Sequence, residues 1–85
     1  MGLFKETDYK GKPANYWGNL HKEHDRTTNS TTAIVYLYWD KEAADNYPLV
    51  ALQHIEKQYD GLLTDAECYE ALMKEPELED ATADV

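Results

Sequence analysis

Chemistry in this chain would have to come from three histidines, one cysteine and 17 carboxylates. His21-x-x-His24 is the one close histidine pair, with His54 and Cys68 as conceivable further ligands of a zinc-like ion. On a helix the two histidines would share a face. On a strand, positions three apart point to opposite faces. Tyr16, Trp17 and Leu20 favour a strand over 16–24, so the expectation is surface or hydrogen-bonded histidines and no metal. A Cys68–His nucleophilic pair would need a base in reach and donors for an oxyanion. Cys68 instead lies near the apolar stripe of a predicted helix, with no such motif beside it, and reads as a small packed side chain. Carboxylates serve as acid and base only where burial or a neighbour splits their affinities for protons, and here most sit in polar stretches. Gly2, Gly11, Gly18 and Gly61 are isolated and open no phosphate loop. The expectation is a protein that is not an enzyme and uses no cofactor.

The elements that would hold these residues are mostly strands. A short strand is expected at 3–8, a turn at 10–13, a second strand at 16–24 and a polar hairpin turn at 25–30. The clearest signal is 31–39, TTAIVYLYW, where β-branched and aromatic residues fill almost every place. Period 2 puts Ala33, Val35, Leu37 and Trp39 on one face and Thr32, Ile34, Tyr36 and Tyr38 on the other. Neither face is polar, so this strand is central or meets a partner. Asp40 can cap a helix that Pro48 limits to one or two turns. Residues 49–59 fit a strand and also a helical stripe; a strand is preferred. Thr64-Asp65-Ala66-Glu67 is a capping box, from which a helix with Ala66, Tyr69, Leu72 and Met73 inward should run to near Lys74 and stop before Pro76.

The resulting expectation is an α+β fold: a small antiparallel sheet of three to four strands in a hairpin or meander, with a C-terminal α-helix and an acidic tail. One domain would span 1–76 and an acidic extension 77–85. At 85 residues there is room for one core with a thin margin of stability. A hydrophobic content of 42% and an aromatic content of 12% belong to a folding chain rather than a disordered one. A lone cysteine excludes an internal disulfide, and the absence of a long apolar run suggests no membrane partner and synthesis in the cytoplasm. Asn29-Ser30-Thr31 fits a glycosylation acceptor pattern, which is read as incidental. The net charge of −9 opposes binding to nucleic acid, and the expected acidic surface is Glu75, Glu77, Glu79, Asp80 and Asp84. The aromatic surplus makes Tyr36, Tyr38, Trp39 and Trp17 candidates for an interface with another protein.

Several short segments carry a resemblance. Met1-Gly2-Leu3-Phe4-Lys5, Asn15-Tyr16-Trp17, Asn29-Ser30-Thr31-Thr32-Ala33-Ile34-Val35, Asp40-Lys41-Glu42-Ala43-Ala44, Tyr69-Glu70-Ala71-Leu72-Met73-Lys74 and the closing Leu78-Glu79-Asp80-Ala81-Thr82-Ala83-Asp84-Val85 resemble short proteins from the structural-gene regions of tailed bacteriophages and prophages. The stretch 46–52 is shorter than its counterpart there. The resemblance implies a virion component, in the tail, baseplate or a neighbouring position, that contacts other virion proteins or itself in several symmetric copies. It transfers no active-site residue. The alternative reading of the charge is an acidic, phage-encoded mimic of nucleic acid that inhibits a basic host protein.

Overall fold

The structure, a computed structural model, describes residues 2–84. Five strands, β1 (Gly2–Tyr9), β2 (Lys12–Asp25), β3 (Ser30–Tyr38), β4 (Gln53–Asp60) and β5 (Thr82–Asp84), form one antiparallel sheet in the order β4-β3-β2-β1-β5. Two short helices, α1 (Lys41–Asn46) and α2 (Asp65–Leu72), and a 3₁₀ turn at Pro76–Leu78 complete it.

Each connection follows from local chemistry. Lys10 and Gly11 both have positive φ (53° and 86°), the requirement of a two-residue hairpin whose twist matches its strands. Lys10 is an uncommon residue there, and its ammonium lies 5.5 Å over the Tyr9 ring. Between β2 and β3 the Asp25 carboxylate accepts from the Thr27 amide at 2.8 Å, and Asn29 turns the chain back with φ 49°. Asp40 caps α1 by accepting from the Ala43 amide, and the Thr64–Glu67 capping box opens α2 with both of its hydrogen bonds formed.

The α+β expectation is corrected by these elements. Strand occupies 51% of the described residues and helix only 20%, so the protein is a mostly antiparallel β-sheet with short helices. Five strands replace three to four. The helix from the Thr64 cap is only two turns long and is not C-terminal. Nor is the acidic segment a tail: Leu78 is fully buried and Ala81 nearly so, and β5 pairs with β1 through Gly2–Asp84, Leu3–Ala83 and Phe4–Thr82. The expected extension at 77–85 is therefore part of the domain over 77–84. Net charge concealed this, because burying one leucine and one alanine and making one three-residue pairing requires no change in composition.

The main core lies on the sheet face covered by α2 and the 3₁₀ turn. Leu3, Trp17, Ala33, Val35, Leu37 and Ile55 from the strands meet Cys68, Tyr69, Leu72 and Leu78. Ala66 faces solvent, so the buried stripe of α2 is Cys68, Tyr69 and Leu72, with Cys68 in place of the expected Ala66 at its start. The Trp17 indole donates to the Thr7 hydroxyl at 3.3 Å, satisfying its buried N–H. The buried Thr31 hydroxyl donates to Gly61 O at 2.6 Å and accepts from the Leu63 amide at 3.3 Å, which fastens the β4–α2 loop to the sheet.

A second, smaller core occupies the other face, where α1 lays Ala44 against Tyr16 and Tyr38. Tyr16 crosses two glycines, Gly2 and Gly18, which are partners across β1 and β2. A Cβ on Gly18 would meet the Tyr16 ring at 2.7 Å, so only glycine leaves the ring space to lie flat on the sheet. The Tyr16 hydroxyl then donates to Asp84 at 3.0 Å, and Asp84 also pairs with Lys41 at 2.9 Å. Asp84 thereby joins β5, β2 and α1.

Candidate functional site

Directly opposed residues in an antiparallel pair share a face, so the register of β2, β3 and β4 assigns each side chain to a side. On the face carrying α1 the rows run Tyr16–Tyr38, then Gly18–Tyr36–His54, His21–Ile34–Glu56, Glu23–Thr32–Gln58 and Asp25–Ser30–Asp60. Helix α1 and the following loop cover the first row. Beyond it Tyr36, Ile34 and Thr32 are half-buried, while His21, Glu23, Asp25, His54, Glu56 and Asp60 are exposed. This open part of the sheet is the candidate site.

Its shape depends on a bulge. The register between β2 and β3 slips by one residue between Gly18 and His21, and within the slip Asn19 takes φ 54°. From there the Asn19 amide nitrogen donates to the Tyr38 hydroxyl at 3.0 Å and to Ala44 O at 3.1 Å, tying α1 to the bulge. Tyr38 in turn donates to Pro48 O at 2.6 Å, drawing the α1–β4 loop over the sheet. The loop forms one wall of a concavity of about 400 Å³, lined by Leu20, His21, Tyr36, Pro48, Leu49 and Ala51 among others. The loop itself is markedly apolar and open: Leu49 is 97% exposed, Val50 67% and Tyr47 65%.

The expected interface residues separate. Tyr36 lies on the open face, its ring 6.1 Å from that of His54. Trp39 is 40% exposed just beyond the end of β3 and meets Tyr9 edge-on at 5.9 Å. Trp17 and Tyr38 are only 1% exposed and are corrected from interface to core: Trp17 lies under α2 and Tyr38 under α1. Leu49 and Val50 were missed because 49–59 was read as a strand. Pro48 and the turn closed by the Val50 amide on Tyr47 O delay β4 until Gln53. A Leu-Val pair directly after a proline was the available sign of an exposed loop.

The expected acidic surface separates in the same way. Glu75 accepts from the Tyr59 hydroxyl at 3.0 Å and lies 3.7 Å from Lys57, whose ammonium is 2.9 Å from Glu77. Hydrogen bonding to Lys57 holds the Glu77 carboxyl below its ordinary range, and hydrogen bonds from Lys41 and Tyr16 do the same for Asp84. Burial and then the Glu75 hydrogen bond push the Tyr59 hydroxyl upward; burial and Asp84 act likewise on Tyr16. Glu79 and Asp80 are exposed on the connection to β5.

His21 stands opposite Ile34 and His24 opposite Thr31, placing the two histidines on opposite faces as strand geometry requires. His21 contacts Glu23 at 3.2 Å and His24 contacts Asn29 at 3.1 Å. Cys68 is buried, and burial pushes its thiol up, away from the reactive thiolate. Among the described residues no group of three His, Cys, Asp or Glu side chains is placed to hold a metal ion, and no helix is long and apolar enough to cross a membrane.

What the arrangement offers is an aromatic and aliphatic concavity beside exposed carboxylates, a surface suited to holding a polypeptide. No protein-family model, curated protein or solved structure matches this chain.

Proposed function

We propose that this protein is a non-enzymatic contact module that assembles with other proteins through the open face of β2, β3 and β4 and the adjoining 47–50 loop. The observation that carries the reading is the concavity that Leu49 shares with the half-open Tyr36, with Ile34 next along the same sheet face and the exposed Tyr47 and Val50 in the same loop as Leu49. Apolar side chains concentrated at one place, on a scaffold that secures them by hydrogen bonds from Tyr38 and Asn19, have the composition of an interface centre. The particular assembly we propose is a tailed-phage particle, with the protein as a tail, baseplate or adjacent component. That step is supported by the resemblance of the segments quoted above.

The test uses particles released from a host whose genome carries the gene. Mass spectrometry of purified particles should find the wild-type chain at stoichiometric abundance. Leu49→Asp should fold normally, because Leu49 is 97% exposed, yet enter particles poorly. Absence of the wild-type chain from particles would refute the virion role, and undiminished entry of Leu49→Asp would refute the assigned surface.

A further inference from the structure

We infer that the partner segment received by this face is cationic and amphipathic: apolar side chains for the concavity, with lysine or arginine among them. The inference deepens the contact-surface reading and rests on it. Its basis is how charge is divided between the two sides of one sheet.

In the rows set by β2, β3 and β4, the open face holds four carboxylates, Glu23, Asp25, Glu56 and Asp60, and no lysine or arginine. The opposite face of the same rows holds Lys22 and Lys57, both across from Ala33. These two lysines are engaged: Lys22 with Asp65 and Leu63 O, each at 3.0 Å, and Lys57 with Glu75 and Glu77. Lys41, the base on neighbouring α1, is held by Asp84, while Glu42 and Asp45 of α1 face solvent. These three cations are thus committed to the covered side and the edge of the fold, while Glu56 and then Glu23 follow the concavity along the open face and Asp25 and Asp60 stand at its hairpin end.

Charge of one sign around an apolar centre selects the opposite sign in the partner and speeds its approach. It also argues against a second copy on this face. A two-fold contact would bring the same four carboxylates against themselves, in a chain whose net charge is already −9. Anionic lipid and nucleic acid are repelled for the same reason. Glu23 and Glu56 are the side chains best placed to receive the cations, since their rows flank Ile34 and Thr32 at the open end of the concavity.

Three probes separate the elements of the inference: blocked heptapeptides alternating lysine with leucine, glutamine with leucine, and lysine with serine. Amide chemical shifts of the isotope-labelled full chain report where each binds. The lysine–leucine peptide should shift Ile34, Tyr36, Leu49 and Glu56, bind more tightly than either other peptide, and weaken as salt is raised. The double variant Glu23→Gln/Glu56→Gln should bind it about fivefold more weakly, on the scale of two exposed ion pairs, with thermal stability unchanged. Glu79→Gln/Asp80→Asn, on the connection to β5, should leave its binding unchanged. Equal affinity for the glutamine–leucine peptide at this face would overturn the charge selection while leaving the contact surface standing. Binding of the lysine–leucine peptide elsewhere, or self-association through this face, would overturn the inference. If neither leucine peptide shifts the face, the contact-surface reading fails as well.

Discussion

Gly18→Ala is the sharpest test of how the sheet is packed, because a single methyl group enters a place the structure has already filled. Its Cβ would stand 2.7 Å from one carbon of the Tyr16 ring, 3.4 Å from the next and 3.5 Å from a third. The ring has little room to retreat: Tyr16 is 3% exposed, meets Phe4 edge-on at 5.1 Å, and is anchored through its hydroxyl to Asp84. Gly18 lacks the positive φ that makes alanine costly at Gly11 and Gly61, so the penalty is one of space alone. Forcing a methyl into a packed site costs about 1–3 kcal/mol. At about 4–8 °C per kcal/mol for a domain of this size, the melting temperature should fall by roughly 4–24 °C. Urea melts of wild type, Gly18→Ala, Tyr16→Val and the double variant close a thermodynamic cycle. With the ring gone, Gly18→Ala should become neutral or stabilising by about 0.5 kcal/mol, since alanine restricts the unfolded chain. Wild-type stability of Gly18→Ala, or an equal loss in the Tyr16→Val background, would refute the packing argument.

Two further outcomes are expected. Leu78→Ala should cost about 2–4 kcal/mol in a urea melt, as a fully buried leucine does, whereas a leucine in a solvated tail would cost almost nothing. Stability should also depend on pH at both extremes. Asp84, Glu77 and Glu67 have folded proton affinities below their unfolded ones, so their contribution is present above the ordinary carboxyl range and is lost as pH falls through the lowered values. Tyr16, Tyr59, Lys41 and Lys57 are raised, so theirs is present below about pH 10 and is lost as pH rises through the raised values. Melting temperatures across pH should show both limbs, and Asp84→Asn should flatten the acidic one.

Much of the sheet was legible because its signals are local. The β-branched and aromatic run within 31–39 marked β3 and its two faces, and the Asp40 and Thr64 caps marked both helix starts from one hydroxyl or carboxylate and its spacing. Period 2 says which face a residue joins, but not which part of that face a helix will cover. Tyr36 and Tyr38 have the same parity, and only the placement of α1 leaves one half-open and buries the other. The helix phase failed at Ala66 because two turns provide few apolar positions by which to fix a stripe. The acidic tail misled for a different reason. Leu78, Ala81 and Asp84 each depend on a residue distant in sequence, and the hydrogen bond from Tyr16 to Asp84 spans 68 positions.

The open face is acidic partly because the acidic end of the chain is not. If 77–84 were a solvated tail, Lys57 and Lys41 would have no carboxylate from it to hold, and their charges would be free to moderate the rest of the surface. Folding instead commits Lys57 to Glu75 and Glu77 and Lys41 to Asp84. Three of the five carboxylates expected to form an external acidic surface are spent internally, which weakens a nucleic-acid mimic built on that segment. Each pairing also removes a cation that could have balanced Glu23, Asp25, Glu56 or Asp60. The four carboxylates of the open sheet face therefore stay exposed with no lysine or arginine in their rows, on the same side as the Leu49 loop, where charge and apolar surface act together. Loosening the end of the chain should consequently reach the binding face: Asp84→Asn frees Lys41 on α1 and should weaken capture of a cationic segment without altering any residue of the concavity.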